Sequence, residues 1–240
     1  MSEPKLGQND MERAPKNTKT VILNMALQMA SRGGLEGLTI GELAKAVGMS
    51  KSGLFAHFGG KDQLQLSVLQ TARDRFVESV MRSAFKAPRG EPRIKLLLKN
   101  WLEHLNESSL PGSSILIAAS VELDDRPGLL RDFMQTAQKD LIRNIEKAAR
   151  ISVEEGHFQK DLDIEQFAWS LYAFVLGYHH SKRMLEDPKA ELHLKRSFNG
   201  LLALARAPKK QLVPKSNAKS KVAGKAPGKT PSKRPAKKAS

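Results

Sequence analysis

The chain contains no cysteine, which excludes disulfides, thiolate metal sites and a cysteine nucleophile. It also lacks a long apolar run. The longest stretches, near residues 115–119 and 168–175, fall far short of the roughly 18–20 residues that span a bilayer. The first residues are polar, without the apolar core of a secretion signal. Together these absences predict a soluble, cytoplasmic protein. Catalytic signatures are missing too: there is no phosphate-cradling glycine loop, no zinc-protease helix and no nucleophile elbow. Asp124 and Asp125 make a poor carboxylate pair, because adjacent helical residues point in different directions and Asp-x-x-Pro before a helix reads as a cap. His179 and His180 likewise cannot share one helix face, so no metal site is expected. Neither enzymatic activity nor a cofactor is expected.

Acidic side chains are absent from residues 208–240, which carry eleven Lys and Arg. The whole chain has a net charge of +15, yet its first 207 residues hold 29 basic and 25 acidic side chains, a net of +4. Most of the basicity therefore sits in a terminal segment of Pro, Gly, Ala, Ser and Lys. Such a composition cannot bury a core and predicts disorder. It resembles the lysine-alanine-proline tails of linker-histone-like proteins. On DNA it would act as a non-specific clamp, each neutralised phosphate adding roughly −0.9 to the slope of log affinity against log salt. The plainer alternative is a solvated tail. With no aromatics, amphipathic period or lipidation cysteine, it does not read as a membrane anchor.

What is present is concentrated in residues 39–61. Thr39 and Glu42 have capping-box spacing, which lets each side chain take the other's amide. Leu43 and Val47 lie one turn apart on a buried face, with the small Ala44 leaving room for a crossing helix. Gly48 comes where the chain must turn sharply. Ser50 is a good N-cap for a second helix, and Leu54 returns an apolar contact to the first. The exposed start of that helix, Lys51-Ser52-Gly53, offers a cation, a hydroxyl and a site of close backbone approach. These groups suit phosphates and base edges, so the segment reads as a DNA-binding helix-turn-helix.

Residues 20–69, with Leu-Phe-Ala-His-Phe at 54–58 and Lys61 soon after, resemble the DNA-binding domain of the TetR (tetracycline-repressor) family. About fifty residues match closely, the helical remainder more loosely. The resemblance implies an all-α, homodimeric regulator that binds a palindromic operator in double-stranded DNA and releases it when a small-molecule effector enters the C-terminal domain. Thr39 would cap the first motif helix near a phosphate, and Ser50, Lys51, Ser52 and Gly53 would start the helix facing the major groove. His57 and Lys61 would contact phosphates, and Phe58 would be core. Phe55 departs from the family's usual tyrosine, so a phenol-to-phosphate bond is lost and only packing or stacking on the backbone remains. Gly59-Gly60 replaces a capping side chain and leaves the helix at Lys61 with a weaker cap.

A coarse pass along the chain predicts nine helices. A flexible arm (1–16), whose Lys5, Arg13 and Lys16 either reach a minor groove or are solvated, precedes a three-helix DNA-binding domain (17–63). A helical regulatory and dimerisation domain (64–207) and the disordered tail (208–240) follow. A long helix from Lys61 to about Phe85 joins the two domains. Stripes at Ile94/Leu97/Trp101/Leu105, at Ser114–Leu123 and from Leu130 to Ile145 predict further helices. Residues from Asp163 to about Glu186 are apolar on several sides and need cover from several faces. With the broad stripe at Leu192, Phe198, Leu201, Leu202 and Leu204, they predict a four-helix interface with a second copy. Trp101, His104, Phe133, Trp169 and Tyr172 are the candidates for an effector pocket, mixing large apolar faces with a few polar tips. Their lack of a dominant charge points to an apolar or aromatic ligand, although each also reads as plain core. Two functions follow: a ligand-responsive regulator, and a nucleoid-associated architectural protein using the same heads with the basic tail.

Overall fold

The computed structural model describes residues 15–106 and 114–207. The proposed tail and Lys5 and Arg13 of the arm lie outside them. The described residues are helical, and the one extended pairing among them is the single bridge between Phe158 and Arg206. Helix α1 (Pro15–Gly33) ends at Gly34, whose φ of +76° turns the chain. Two short helices follow, α2 (Ile40–Ala46) and α3 (Lys51–Phe58). The long helix α4 (Lys61–Phe76) continues through a π-helical turn (Val77–Arg82) and a last α-turn (Ser83–Phe85). Then come α5 (Glu91–Leu105), α6 (Ile115–Glu122), α7 (Leu129–Glu154), α8 (Ile164–Arg183) and α9 (Ala190–Ala205).

Two apolar cores organise these helices. The first joins Ile22, Leu27, Leu43, Leu54 and Leu64 of α1–α4 to Ile115 and Ala119 of α6, Leu123 just past it and Met134 of α7. The second packs Phe76, Val80, Trp101, Ile145, Phe167, Leu171 and Phe198 from α4, α5, α7, α8 and α9. Helix α4 contributes to both, so its two ends are fixed by different cores. A sharp end to α5 is set at its start, where Gly90 (φ +89°) comes so close to the His157 ring that a Cβ would stand 2.0 Å from Nδ1. Pro92 follows in the first turn, where a missing N–H costs nothing.

The caps of α7 and α8 differ in kind. Asp124 and Asp125 do not cap α7; Gly128 occupies its N-cap, without a side-chain bond. The Asp124 backbone carbonyl instead accepts from Arg131 Nε at 2.8 Å. By contrast Asp163 does cap α8, accepting the Gln166 amide at 2.9 Å.

Candidate nucleic-acid interface and effector cavity

The helix-turn-helix is built by its caps. Thr39 Oγ1 accepts the Glu42 amide at 3.2 Å, and its hydroxyl donates to the Glu42 carboxylate rather than that carboxylate taking the Thr39 amide. Gly48 turns the chain at φ +69°. Ser50 Oγ accepts the Gly53 amide at 3.0 Å and lies 3.1 Å from Ser52 Oγ. A Cβ on Gly53 would come within 3.1 Å of that cap. Leu54 and Phe58 are buried against the head core, which leaves Lys51, Ser52, Phe55, Ala56 and His57 on the open side of α3. Phe55 is 54% exposed, a large ring presented to solvent on the same face as the cation and hydroxyls. Gly41 of α2 lets the Lys51 stem lie across it, since a Cβ there would touch Lys51 Cε at 3.2 Å.

Lys61 opens α4 from an N-cap, Gly60, that has no side-chain bond. Its Nζ pairs with Glu36 at 2.8 Å, and Glu36 also meets Arg126 at 3.4 Å. The hydrogen bond from Lys61, then its charge, holds the Glu36 carboxyl below the ordinary range. Lys19, which the motif reading did not single out, lies over the Phe58 ring at 5.6 Å from its centroid.

Behind the head, between α4, α5, α6, α7 and α8, lies a cavity of about 320 Å³. Phe76 and Trp101 meet edge to face at 5.4 Å on its wall, with Tyr172 6.4 Å from Trp101. Met81, Leu116, Ile117, Met134 and Leu141 complete an apolar lining, while Arg73, Gln138, Asp140 and Asn144 supply polar groups. The Tyr172 hydroxyl donates to Gln138 Oε1, and burial pushes its pKa up. The two charged groups of the lining are already partnered, Arg73 by Asp74 and Asp140 by Arg143.

Of the five residues expected to converge, Trp101 and Tyr172 line this cavity and three do not. His104 lies on another side of Phe76, edge-on at 5.5 Å, with Nδ1 3.1 Å from Ser79 Oγ. Phe133 packs towards the head core under the Arg73 guanidinium, 5.2 Å from its ring centroid. Trp169 is 61% exposed on the outer side of α8. The correction has one cause: helical spacing fixes which residues share a stripe, but not which neighbour the stripe meets. Met81 and Gln138 were missed for the same reason.

Residues 22–68 match the family model for bacterial regulatory proteins of the tetR family, and residues 90–198 match the tetracyclin repressor-like C-terminal domain. The two together take in most of the described chain. The HTH-type transcriptional repressor AcnR of Corynebacterium jeikeium is 25% identical over 175 residues, 72% of this chain and 84% of that protein. A TetR-family regulator from Cytophaga hutchinsonii shares the fold at a TM-score of 0.70 and 19% identity, over 82% of this chain and all of its own. AibR, solved with isovaleryl coenzyme A and operator DNA, shares it at 0.61 and 21% identity, over 80% of this chain and all of its own. The chain belongs to the TetR family, and it is a DNA-binding transcriptional regulator of the homodimeric, effector-binding kind typical of that family. Among the described residues no helix is long and apolar enough to cross a membrane.

Proposed function

We propose that this regulator is a repressor which leaves a palindromic operator when a small, uncharged aromatic molecule enters the cavity. One observation carries this reading: the cavity is walled by α4 and α6, both of which also pack into the core of the DNA-binding head. Its volume is at the small end of ligand pockets, roughly 300–1,000 Å³. Phe76, Trp101 and Tyr172 offer ring faces, the Tyr172–Gln138 pair offers a hydrogen-bonding tip, and no unpartnered charge awaits an ionic ligand. On DNA, Thr39, Ser50, Phe55, His57 and Lys61 hold the backbone while Lys51, Ser52 and Gly53 meet base edges. The head spans 17–63 and the regulatory domain 64–207. The segment 208–240 adds non-specific affinity, at the nucleoid of the cytoplasm.

The test is selection of duplexes from random sequence by the full-length protein, followed by a salt series on the selected and a scrambled duplex. A variant with the eleven Lys and Arg of 208–240 changed to Gln runs alongside. A selected palindrome, still preferred by the variant with a shallower salt slope, supports the reading. If neither protein discriminates and charge removal abolishes binding, the architectural alternative replaces it.

A further inference from the structure

Helix α6 meets three surroundings at once. Leu116 and Ile117 stand in the cavity wall. Ile115 and Ala119, with Leu123 one residue past the helix, are buried in the head core. Glu122, in the last turn, reaches the loop between α1 and α2. There its carboxylate accepts two successive backbone amides, Leu35 N at 2.9 Å and Glu36 N. Gly34 permits this grip: its φ is +76°, and a Cβ would come within 3.2 Å of Glu122 Oε2. The same loop is held from α4, where Gln65 Nε2 donates to the Leu35 carbonyl at 2.6 Å. Four residues after Leu35, Thr39 caps α2, and the Glu36 side chain holds Lys61. The loop thus stands directly before two groups assigned to the DNA backbone.

We propose that Glu122 is a positioning residue for operator recognition, fastening the 34–36 loop to α6 so that the contents of the cavity set the placement of α2. This rests on reading the cavity as the effector site. The physical reason is the type of contact. Apolar contacts such as those of Ile115 and Ala119 tolerate sliding, whereas two charge-assisted hydrogen bonds to adjacent amides fix direction and are lost over a short displacement. A ligand against Leu116 and Ile117 displaces a helix of only eight residues, which either drags the loop or releases it. Both outcomes change the head, and that difference between states is what coupling requires.

The experiment uses the full-length protein and fills the cavity from within. Ala137 lines it, so Ala137→Trp stands in for an occupant, and a double-mutant cycle with Glu122→Ala reads the coupling on the selected duplex. Ala137→Trp is expected to weaken binding about tenfold or more in the otherwise unchanged chain, and less than about twofold when Glu122→Ala is also present. Amide hydrogen exchange at Leu35 and Glu36 is expected to rise about tenfold in Glu122→Ala while α2 and α3 stay protected. Equal weakening in the two backgrounds overturns the role of Glu122 and leaves the effector reading standing. No weakening in the unchanged chain overturns both, while the selected palindrome still reports DNA recognition. Ala137→Leu replaces the tryptophan where the larger ring prevents folding. Unchanged exchange at Leu35 and Glu36 in Glu122→Ala overturns the fastening without recourse to any cavity variant.

Discussion

Lys61 stands between two anions. In the free protein it pairs with Glu36, and on DNA it would meet a phosphate. Both side chains are solvent-exposed, so the pair is readily exchanged. Replacing Glu36 with Gln removes the competitor and one nearby negative charge. Glu36→Gln is therefore expected to tighten operator binding and to steepen the salt slope by roughly 0.9 for each phosphate newly neutralised. Anisotropy titrations across a salt series measure both, and an unchanged slope would remove Lys61 from the phosphate contacts. A second acid behaves differently. Glu91 has its pKa drawn down to about 2, first by the hydrogen bond from Arg206 and then by Lys95, against the opposing effect of burial. Arg206 reaches it at 2.6 Å and 3.0 Å, tying the end of α9 to the start of α5. Because the folded pKa lies below the ordinary carboxylate value, the stabilisation is complete above about pH 5 and fades as the pH falls towards 2. Glu91→Gln is expected to cost about 1 kcal/mol at pH 7, an amount limited by the exposed partners. Thermal melts of the two proteins should converge near pH 2; a gap that persists there would assign the loss to packing.

At the scale of elements, the π-helical turn in the long helix has an identifiable support. Asn100 of α5 is a buried polar side chain in an otherwise apolar stripe, and its Nδ2 donates to the Val80 carbonyl inside that turn at 3.2 Å. Val77 and Met81, from the same turn, face the cavity. Asn100→Leu keeps the branching and the number of side-chain heavy atoms but deletes the donor, so it is expected to lower stability by about 1–2 kcal/mol. A denaturant titration measures this, and a neutral result would mean that the turn holds without Asn100. No residue within 77–82 announces the turn: the segment has no proline or glycine, and the signal sits on another helix. The helix count itself was readable, because the apolar stripes are separate and Gly48 marks the turn within the motif. With the motif caps, chemistry and geometry are local, and Ser50 acts as its type and position suggest. The cavity is the opposite case. Trp101 and Tyr172 were readable as candidates, but Trp169 on the same helix as Tyr172 points outward, and periodicity alone gives no inside or outside to a helix apolar on several faces. Glu122 was unreadable for a related reason, since its partners are backbone amides 87 and 86 residues away.

At the scale of the whole molecule, the two C-terminal helices leave an apolar surface uncovered among the described residues. Helices α8 and α9 bury Phe167, Leu171, Val175, Leu194, Phe198 and Leu202 inward, yet expose Trp169 at 61%, Leu192 at 43% and Leu204 at 76%. Gly177 and Gly200 lie mid-helix with open space where a Cβ would stand. Each costs its helix about 1 kcal/mol relative to alanine, a cost offset where a second backbone approaches closely. Large apolar side chains beside small ones on two adjacent helices suit a self-complementary, two-fold contact with the same helices of a second copy. Trp169 then serves as the reporter. With Trp101 replaced by Phe, its emission is expected to shift to shorter wavelength as protein concentration rises through the dimer dissociation range. Trp169→Glu combined with Leu204→Glu should give a folded monomer by sedimentation, because exposed substitutions outside an interface change protomer stability by only about 0.5 kcal/mol. Separating the heads removes their effective concentration on the palindrome, so operator affinity should fall roughly a hundredfold or more. A double variant that still sediments as a dimer and binds the operator unchanged would move the interface to another face.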